Sequence, residues 1–290
     1  MADSGMDLQK RRARIKRVIR LAIAIVLLLV MLRWFEHSQV YYPSRALEAA
    51  PTELGRGFEN VHFKAADGVG LHGWFFPAAD TNSPRAGLAF LICHGNAGNI
   101  SHRLELCAAL LETGAGVFVF DYRGYGQSHG RPGEEGTYRD AQAAHAWLRQ
   151  RGFRGEDIIA YGESLGGGIV SELALRETLG GIVLQSTFTS IPDIGAELYP
   201  WLPVQWISTI KYDTHAKLPR IKVPVLVLHS RADDLAGFTH AEKNFAAANE
   251  PKVFCELSGG HNEAVWEQQE FRDGIEKLLK IVEETTARPK

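Results

Sequence analysis

The stretch YGESLGGG, residues 161–168, sets one serine among four glycines. Glycine inside a strand or helix costs about 0.5–1 kcal/mol relative to alanine, so such a cluster needs a geometric reason. Its flanks supply one. DIIAYG (157–162) is a short, continuously apolar run of the kind buried on both faces of a parallel sheet, and a helical pattern follows over 165–178. A serine at that junction, framed as G-x-S-x-G, sits on a turn so sharp that its backbone is strained and its hydroxyl stands clear of the sheet. Gly162 and Gly166 then remove side chains that would collide across the turn, while Gly167 and Gly168 let the helix press onto the neighbouring strand.

Outward from this junction the same pattern repeats. GLAFLICHG (87–95), GAGVFVFDYRG (114–124), GGIVLQS (180–186), VPVLVLHS (223–230) and KVFCELSGG (252–260) are further short apolar runs. Helical patterns lie between and after them, at 101–113, 136–152, 238–249 and 264–285. Ahead of them, FENVHFKAADGVGLHGWFFPA reads as two strands around a turn at Asp67-Gly68. Strand alternating with helix predicts right-handed crossovers and one doubly wound, mostly parallel, eight-stranded α/β sheet. The 290 residues suffice for one large α/β core, and no repeat or second core is visible. Residues 187–222 break the alternation and read as a short lid above the carboxyl ends of the strands, or as an ordinary helix pair covering the sheet.

A serine hydroxyl is a poor nucleophile at neutral pH and needs a base, with an acid behind it to orient the imidazole. In such a sheet the partners follow in the order Ser, Asp or Glu, His, each just after a strand. VLVLHSRADD ends in Asp233 and Asp234, and CELSGGHNE carries His261. Ser164, Asp233 and His261 are therefore the candidate catalytic residues, with Asp234 expected to face solvent or to cap the helix near Phe238. His62, His72, His145 and His240 fall inside strand or helix patterns and read as structural.

Acyl transfer also needs donors for the oxyanion. The backbone N–H of Leu165 is one by construction of the turn. The loop HGNAGN (94–99) offers the second, for which we take Asn96 N–H. The loop lacks the Lys-Ser/Thr ending of a P-loop and the G-x-G-x-x-G spacing, which argues against phosphate binding. Tyr199, Trp201 and Trp206 lie in the lid segment and are the expected contacts for an acyl group. The sequon Asn99-Ile100-Ser101 stands beside the site and reads as incidental.

The N-terminus has a separate character. Residues 1–33 carry eight basic and two acidic side chains, a net +6, which leaves −8 for the remaining 257 residues. An acidic body gives no reason to propose nucleic-acid binding, which needs a basic face. After the basic tail (1–17), residues 18–35 are apolar over a length of roughly 27 Å at about 1.5 Å per residue, enough to cross a bilayer with Arg20 and Arg33 snorkelling. A cleaved signal would need small residues where Arg33-Trp34-Phe35-Glu36-His37 stand. The reading is an uncleaved anchor with its N-terminus in the cytoplasm, a connector (36–56), and a catalytic domain (57–285) across the membrane. Cys93, Cys107 and Cys255 read as buried small hydrophobes, and no Cys or His spacing calls for a metal; no cofactor is expected.

With HGNAGN, DYRGYGQS (121–128), the G-x-S-L-G-G turn, VPVLVLHS and G-G-H in this order, the chain resembles the α/β-hydrolase superfamily over about residues 40–285. Within it, the resemblance is to membrane-anchored single-domain serine hydrolases. That resemblance implies the roles argued above, with the acid four residues past His229, at Asp233. It also implies an esterase or acyl-protein thioesterase activity; a peptidase or amidase of the same fold and a non-catalytic binding protein are the other readings. Relatives usually have a hydrophobic pair and proline after the acid, where this chain has Leu235-Ala236-Gly237-Phe238, so a looser acid-bearing loop is expected.

Overall fold

The computed structural model describes residues 3–263 and 265–286. The chain divides at Tyr41/Tyr42 into two compact units. The first is one helix, α1 (Asp3–Val40), which extends beyond the apolar stretch at both ends. Its Arg14–Val40 portion has the length and hydropathy of a membrane span, and its most apolar window packs against no protein. Ile15, Leu21, Ile23, Leu27 and Val30 among others lie about half or more exposed, a distribution that water disfavours and hydrocarbon does not.

The second unit begins with β1 (Tyr42–Pro43), β2 (Glu59–Lys64), β3 (Gly70–Phe76), β4 (Ala89–Cys93), β5 (Ala97–Gly98), α2 (Leu104–Leu111) and β6 (Gly116–Asp121). It continues with α3 (Glu134–Gln150), β7 (Ile158–Glu163), α4 (Leu165–Arg176), β8 (Gly181–Gln185), α5 (Ile191–Leu198), α6 (Val204–Ile207) and α7 (Thr214–Lys217). β9 (Val225–Ser230), α8 (Phe238–Ala247), β10 (Lys252–Leu257) and α9 (Gln269–Thr286) complete it. Eight strands form one sheet in the order β10-β9-β8-β7-β4-β6-β3-β2. Only β3 runs against the others, joining β2 through the turn at Asp67-Gly68, where Gly68 holds φ 85.

The apolar runs became central strands because both of their faces are covered. Successive strand residues point to opposite sides. Phe90, Ile92, Val119, Tyr161, Val183 and Leu228 face one layer, where Leu106 and Leu110 of α2 and Phe271, Ile275 and Leu278 of α9 complete the core. Phe75 and Phe118 face the other layer and pack on Trp147 of α3. Cys93, Cys107 and Cys255 are free and buried in this core.

β4, β6, β7, β8, β9 and β10 are parallel, so the loops that follow them emerge at one edge of the sheet. That common edge brings residues 94–99, 164, 187, 233 and 261 within reach of one another.

Three features differ from the sequence reading. Residues 42–56, taken as a connector, carry β1 and a 3₁₀ turn (Pro51–Leu54) and belong to the second unit; β1 pairs with β5 in a two-stranded parallel sheet. Two-residue strands are too short to show a period. The segment 187–222 forms three short helices, α5 to α7, in which a Cβ on Gly195 would stand 2.8 Å from Val204, so α5 and α6 fold back on each other. The last helix starts at Gln269, after a 3₁₀ turn (Val265–Glu267); Ala264, where the pattern places its start, lies outside the described residues.

Candidate active site

Ser164 holds φ 50 and ψ −114, a conformation that non-glycine residues rarely adopt and that requires support from neighbours. The support is backbone hydrogen bonding: Ser164 N–H donates to Gln185 O (2.8 Å), and Ser164 O accepts from Gly167 N–H (3.0 Å). The glycines make room for it. A Cβ on Gly162 would lie 2.6 Å from Gly166 O, and one on Gly166 only 1.9 Å from Cys93 O. Gly167 faces Thr187, and Gly168 faces Tyr212 of the cap rather than a strand, which corrects the role expected for it.

His261 Nε2 stands 3.0 Å from Ser164 Oγ, and His261 Nδ1 stands 2.9 Å from both Asp233 oxygens. Burial alone would raise the Asp233 carboxyl. Its hydrogen bond to His261 and the backbone N–H groups of Ala236 and Leu235 bring it below its usual value instead. An ionised Asp233 can only accept, so Nδ1 carries the proton and Nε2 is left to accept from the serine hydroxyl. All three residues are buried.

Asp234 is exposed, as one of the two expectations has it, but it does not cap α8 and it is not idle. Gly237 occupies the N-cap without a side-chain bond, and Asp234 Oδ1 accepts the backbone N–H of His261 (3.1 Å). The two adjacent acids thus hold one histidine by its ring and by its main chain. Nor is the acid loop loose. Asp233 Oδ1 accepts from Leu235 N–H (3.0 Å) and Ala236 N–H (2.7 Å), and His229 Nε2–H donates to Ala236 O (2.7 Å), which ties the loop without a proline. Burial lowers the His229 pKa, so this histidine serves as a neutral donor.

Leu165 N–H is the first of α4 and has no intrahelical acceptor, which leaves it available at the serine. Asn96 is held from both of its peptide planes. Burial pushes the His94 pKa down to about 3, and the neutral ring donates Nδ1–H to Gly95 O at 2.7 Å. The planar trans peptide then points Asn96 N–H the opposite way. On the other side, Asn96 O accepts from Tyr42 N–H (3.0 Å) and from Tyr125 Oη–H (2.8 Å). The turn residue Glu163 joins in, accepting from Arg103 Nε–H at 2.6 Å and from Gly95 N–H at 3.4 Å.

Tyr42, His94, Arg103, Tyr125 and Glu163 were not singled out in the sequence. Tyr125 lies in DYRGYGQS, one of the segments that carry the family resemblance, and that was the available signal; the Arg103–Glu163 pair, 60 residues apart, gave none. Tyr125→Phe keeps the ring but removes one donor to Asn96 O. It is expected to lower kcat on a soluble ester about 5- to 10-fold with KM nearly unchanged, the scale of one hydrogen bond; steady-state kinetics on both parameters checks this.

The sequon is incidental, since Asn99 is fully buried and its Nδ2 donates to Ser44 O and Ala46 O. The aromatic residues of the cap depart from expectation. Trp201 is 75% and Trp206 90% exposed, so neither walls an acyl cleft; Tyr199 stacks edge-on against Trp201 at 6.3 Å. α6 is a single turn with no buried residue, too short to turn Trp206 inward.

The α/β-hydrolase fold model matches residues 89–209. The Mycobacterium tuberculosis protein Rv2307c is 36% identical over 87% of this chain and 90% of its own. The Arabidopsis thaliana α/β-hydrolase domain-containing protein WAV2 is 31% identical over 85% of this chain and 86% of its own. Among solved structures, the Pyrococcus furiosus esterase Pf2001 is similar with a TM-score of 0.68 at 19% identity, covering 83% of this chain and 97% of that one, a likeness of fold. Identity above 30% along most of WAV2, added to the strand order and the strained serine, places this chain in the α/β-hydrolase family.

Proposed function

We propose that the protein is a membrane-anchored serine hydrolase that cleaves a carboxylic ester or thioester through an acyl-enzyme at Ser164. The observation that carries this reading is the continuous contact from Ser164 Oγ to His261 Nε2 (3.0 Å) and from His261 Nδ1 to Asp233 (2.9 Å). His261 takes the hydroxyl proton as Ser164 Oγ bonds to the substrate carbonyl carbon. The negative charge moves to the carbonyl oxygen, where Leu165 and Asn96 N–H stabilise it, each donor contributing about 2.7–4 kcal/mol to the barrier. Collapse breaks the bond to the alcohol or thiol, which leaves with the proton from His261. Water then gives a proton to His261, attacks the acyl-enzyme and releases the acid, and the proton returns to Ser164. Asp233 stays ionised throughout and steadies the imidazolium.

Exposed apolar residues along α1 support the anchor, and the excess of Arg and Lys before it favours a cytoplasmic N-terminus with the catalytic unit across the membrane. Labelling of the full-length chain by a fluorophosphonate probe tests the chemistry. Label is expected on the wild type and none on Ser164→Ala, together with hydrolysis of p-nitrophenyl esters or an acyl thioester. Label retained by Ser164→Ala, or no hydrolysis of either class, overturns the reading.

A further inference from the structure

We propose that Asp121 is held as a neutral carboxylic acid between His72 and His94, and that its neutrality fixes the His94 tautomer that keeps the Gly95–Asn96 peptide, and with it the oxyanion donor, in place. Asp121 is then a positioning residue for the reaction proposed above, on which this inference rests.

Asp121 closes β6, and the sheet register sets it directly opposite His72 of β3. Its Oδ2 lies 3.9 Å from His72 Nδ1, and its Oδ1 lies 3.6 Å from Nε2 of His94, the residue that follows β4. All three side chains are buried. Gly126 seals the carboxyl, since a Cβ there would stand 2.0 Å from Asp121 Oδ2. His72 Nδ1, Asp121 Oδ2 and His94 Nε2 have no hydrogen-bond partner among the described residues.

The bonds around this cluster locate its hydrogens. Asn60 Oδ1 accepts from His72 Nε2–H at 2.6 Å, and Gly95 O accepts from His94 Nδ1–H at 2.7 Å. A neutral imidazole carries one N–H, so each ring turns a lone pair towards Asp121. An ionised carboxylate there would leave three buried acceptors without a hydrogen among them, and a buried charge without a partner. An imidazolium at His72 would supply a hydrogen, but two charges 3.9 Å apart are not joined by a hydrogen bond, and both must still be taken out of water. A proton on the carboxyl removes the charge. Asp121 Oδ1 already accepts from Ile100 N–H (3.0 Å), so the proton belongs on Oδ2, towards His72 Nδ1. Burial raises the Asp121 carboxyl and outweighs the opposing pull of His72, Ile100 N–H and Arg103.

The charge state matters at His94. Two acceptors compete for the single hydrogen of that ring, Gly95 O beside Nδ1 and Asp121 Oδ1 beside Nε2. A carboxylate accepts roughly twice as strongly as a carbonyl and would draw the hydrogen onto Nε2. Gly95 O would then face a lone pair, and the peptide whose other end is Asn96 N–H would lose its hold. A neutral acid leaves the hydrogen on Nδ1. It also keeps a negative charge from standing behind the loop where the oxyanion forms.

The test uses the full-length chain in detergent micelles. Asp121→Asn keeps the shape of the neutral acid, with an oxygen for Ile100 N–H and an NH₂ towards His72 Nδ1, whereas Asp121→Ala keeps neither. On a soluble p-nitrophenyl ester, Asp121→Ala is expected to lower kcat about tenfold or more with KM within about 2-fold, the direction of a weakened oxyanion donor, and Asp121→Asn to recover most of that loss. The infrared difference spectrum of wild type against Asp121→Asn at neutral pH is expected to show the C=O band of a carboxylic acid, displaced in D₂O. Histidine nitrogen NMR, with His94 assigned through His94→Gln, is expected to show Nδ1 protonated. Both spectra are read whether or not Asp121→Ala folds. A carboxylate band in place of the acid, His94 protonated on Nε2, or Asp121→Asn folded yet as slow as Asp121→Ala overturns the proposal. The acid band and the Nδ1 proton without hydrolysis of any ester support the charge state and count against the hydrolase reading alone.

Discussion

Asp233→Asn is expected to lower kcat by about 10⁴, the cost of the same change in a comparable triad. The geometry explains why an amide of the same shape fails. Asp233 Oδ1 is fixed as an acceptor by Leu235 and Ala236 N–H, so the amide of an asparagine must place its NH₂ at the Oδ2 position, 2.9 Å from His261 Nδ1, and the only oxygen left within reach of that nitrogen, Oδ1, already accepts two N–H groups. A donor there selects the imidazole tautomer protonated on Nε2, which cannot accept the serine proton. Asp234→Asn retains an oxygen for His261 N–H and is expected to cost less than about tenfold, in line with a single hydrogen bond. Turnover of a chromogenic ester by the two variants checks the ranking. Loss of activity in Asp234→Asn with near-normal Asp233→Asn would move the acid by one residue.

The largest stability effect is expected from Gly166→Ala. The added methyl would stand 1.9 Å from Cys93 O and 2.7 Å from Cys93 C, both backbone atoms of a central strand that cannot swing aside. α4 must therefore lift from β4, and with it Ser164 and Leu165 N–H. Overpacking of this kind costs typically about 1–3 kcal/mol, and here the upper end is expected because neither neighbour is a flexible side chain. For a unit of this size that corresponds to a fall in Tm of roughly 6–12 °C. Thermal unfolding followed by circular dichroism measures it, and a variant within about 2 °C of wild type would show that the helix can retreat freely.

Much of this architecture was legible because it depends on local composition. Strands buried on both faces must be continuously apolar, so Ala89–Cys93, Ile158–Glu163 and Val225–Ser230 announced a parallel sheet. A turn too tight for side chains must be glycine-rich, so Gly162 and Gly166 pointed to Ser164. Chain order then picked out Asp233 and His261, which stand in hydrogen-bond contact with each other and, through His261, with the serine.

What the sequence could not carry is the part made by pairs distant in the chain or by backbone groups that every residue shares. Asp234 and the main chain of His261 meet across 27 residues, and Arg103 meets Glu163 across 60. Tyr42 holds Asn96 by its amide, a group that leaves no signature in residue type. The tryptophans of the cap show the converse. Composition marked them as apolar contacts, but whether an apolar ring faces a cleft or the outside depends on the length and packing of the helix that bears it. A one-turn α6 without a buried residue leaves Trp206 outward, a result that only the folded chain decides.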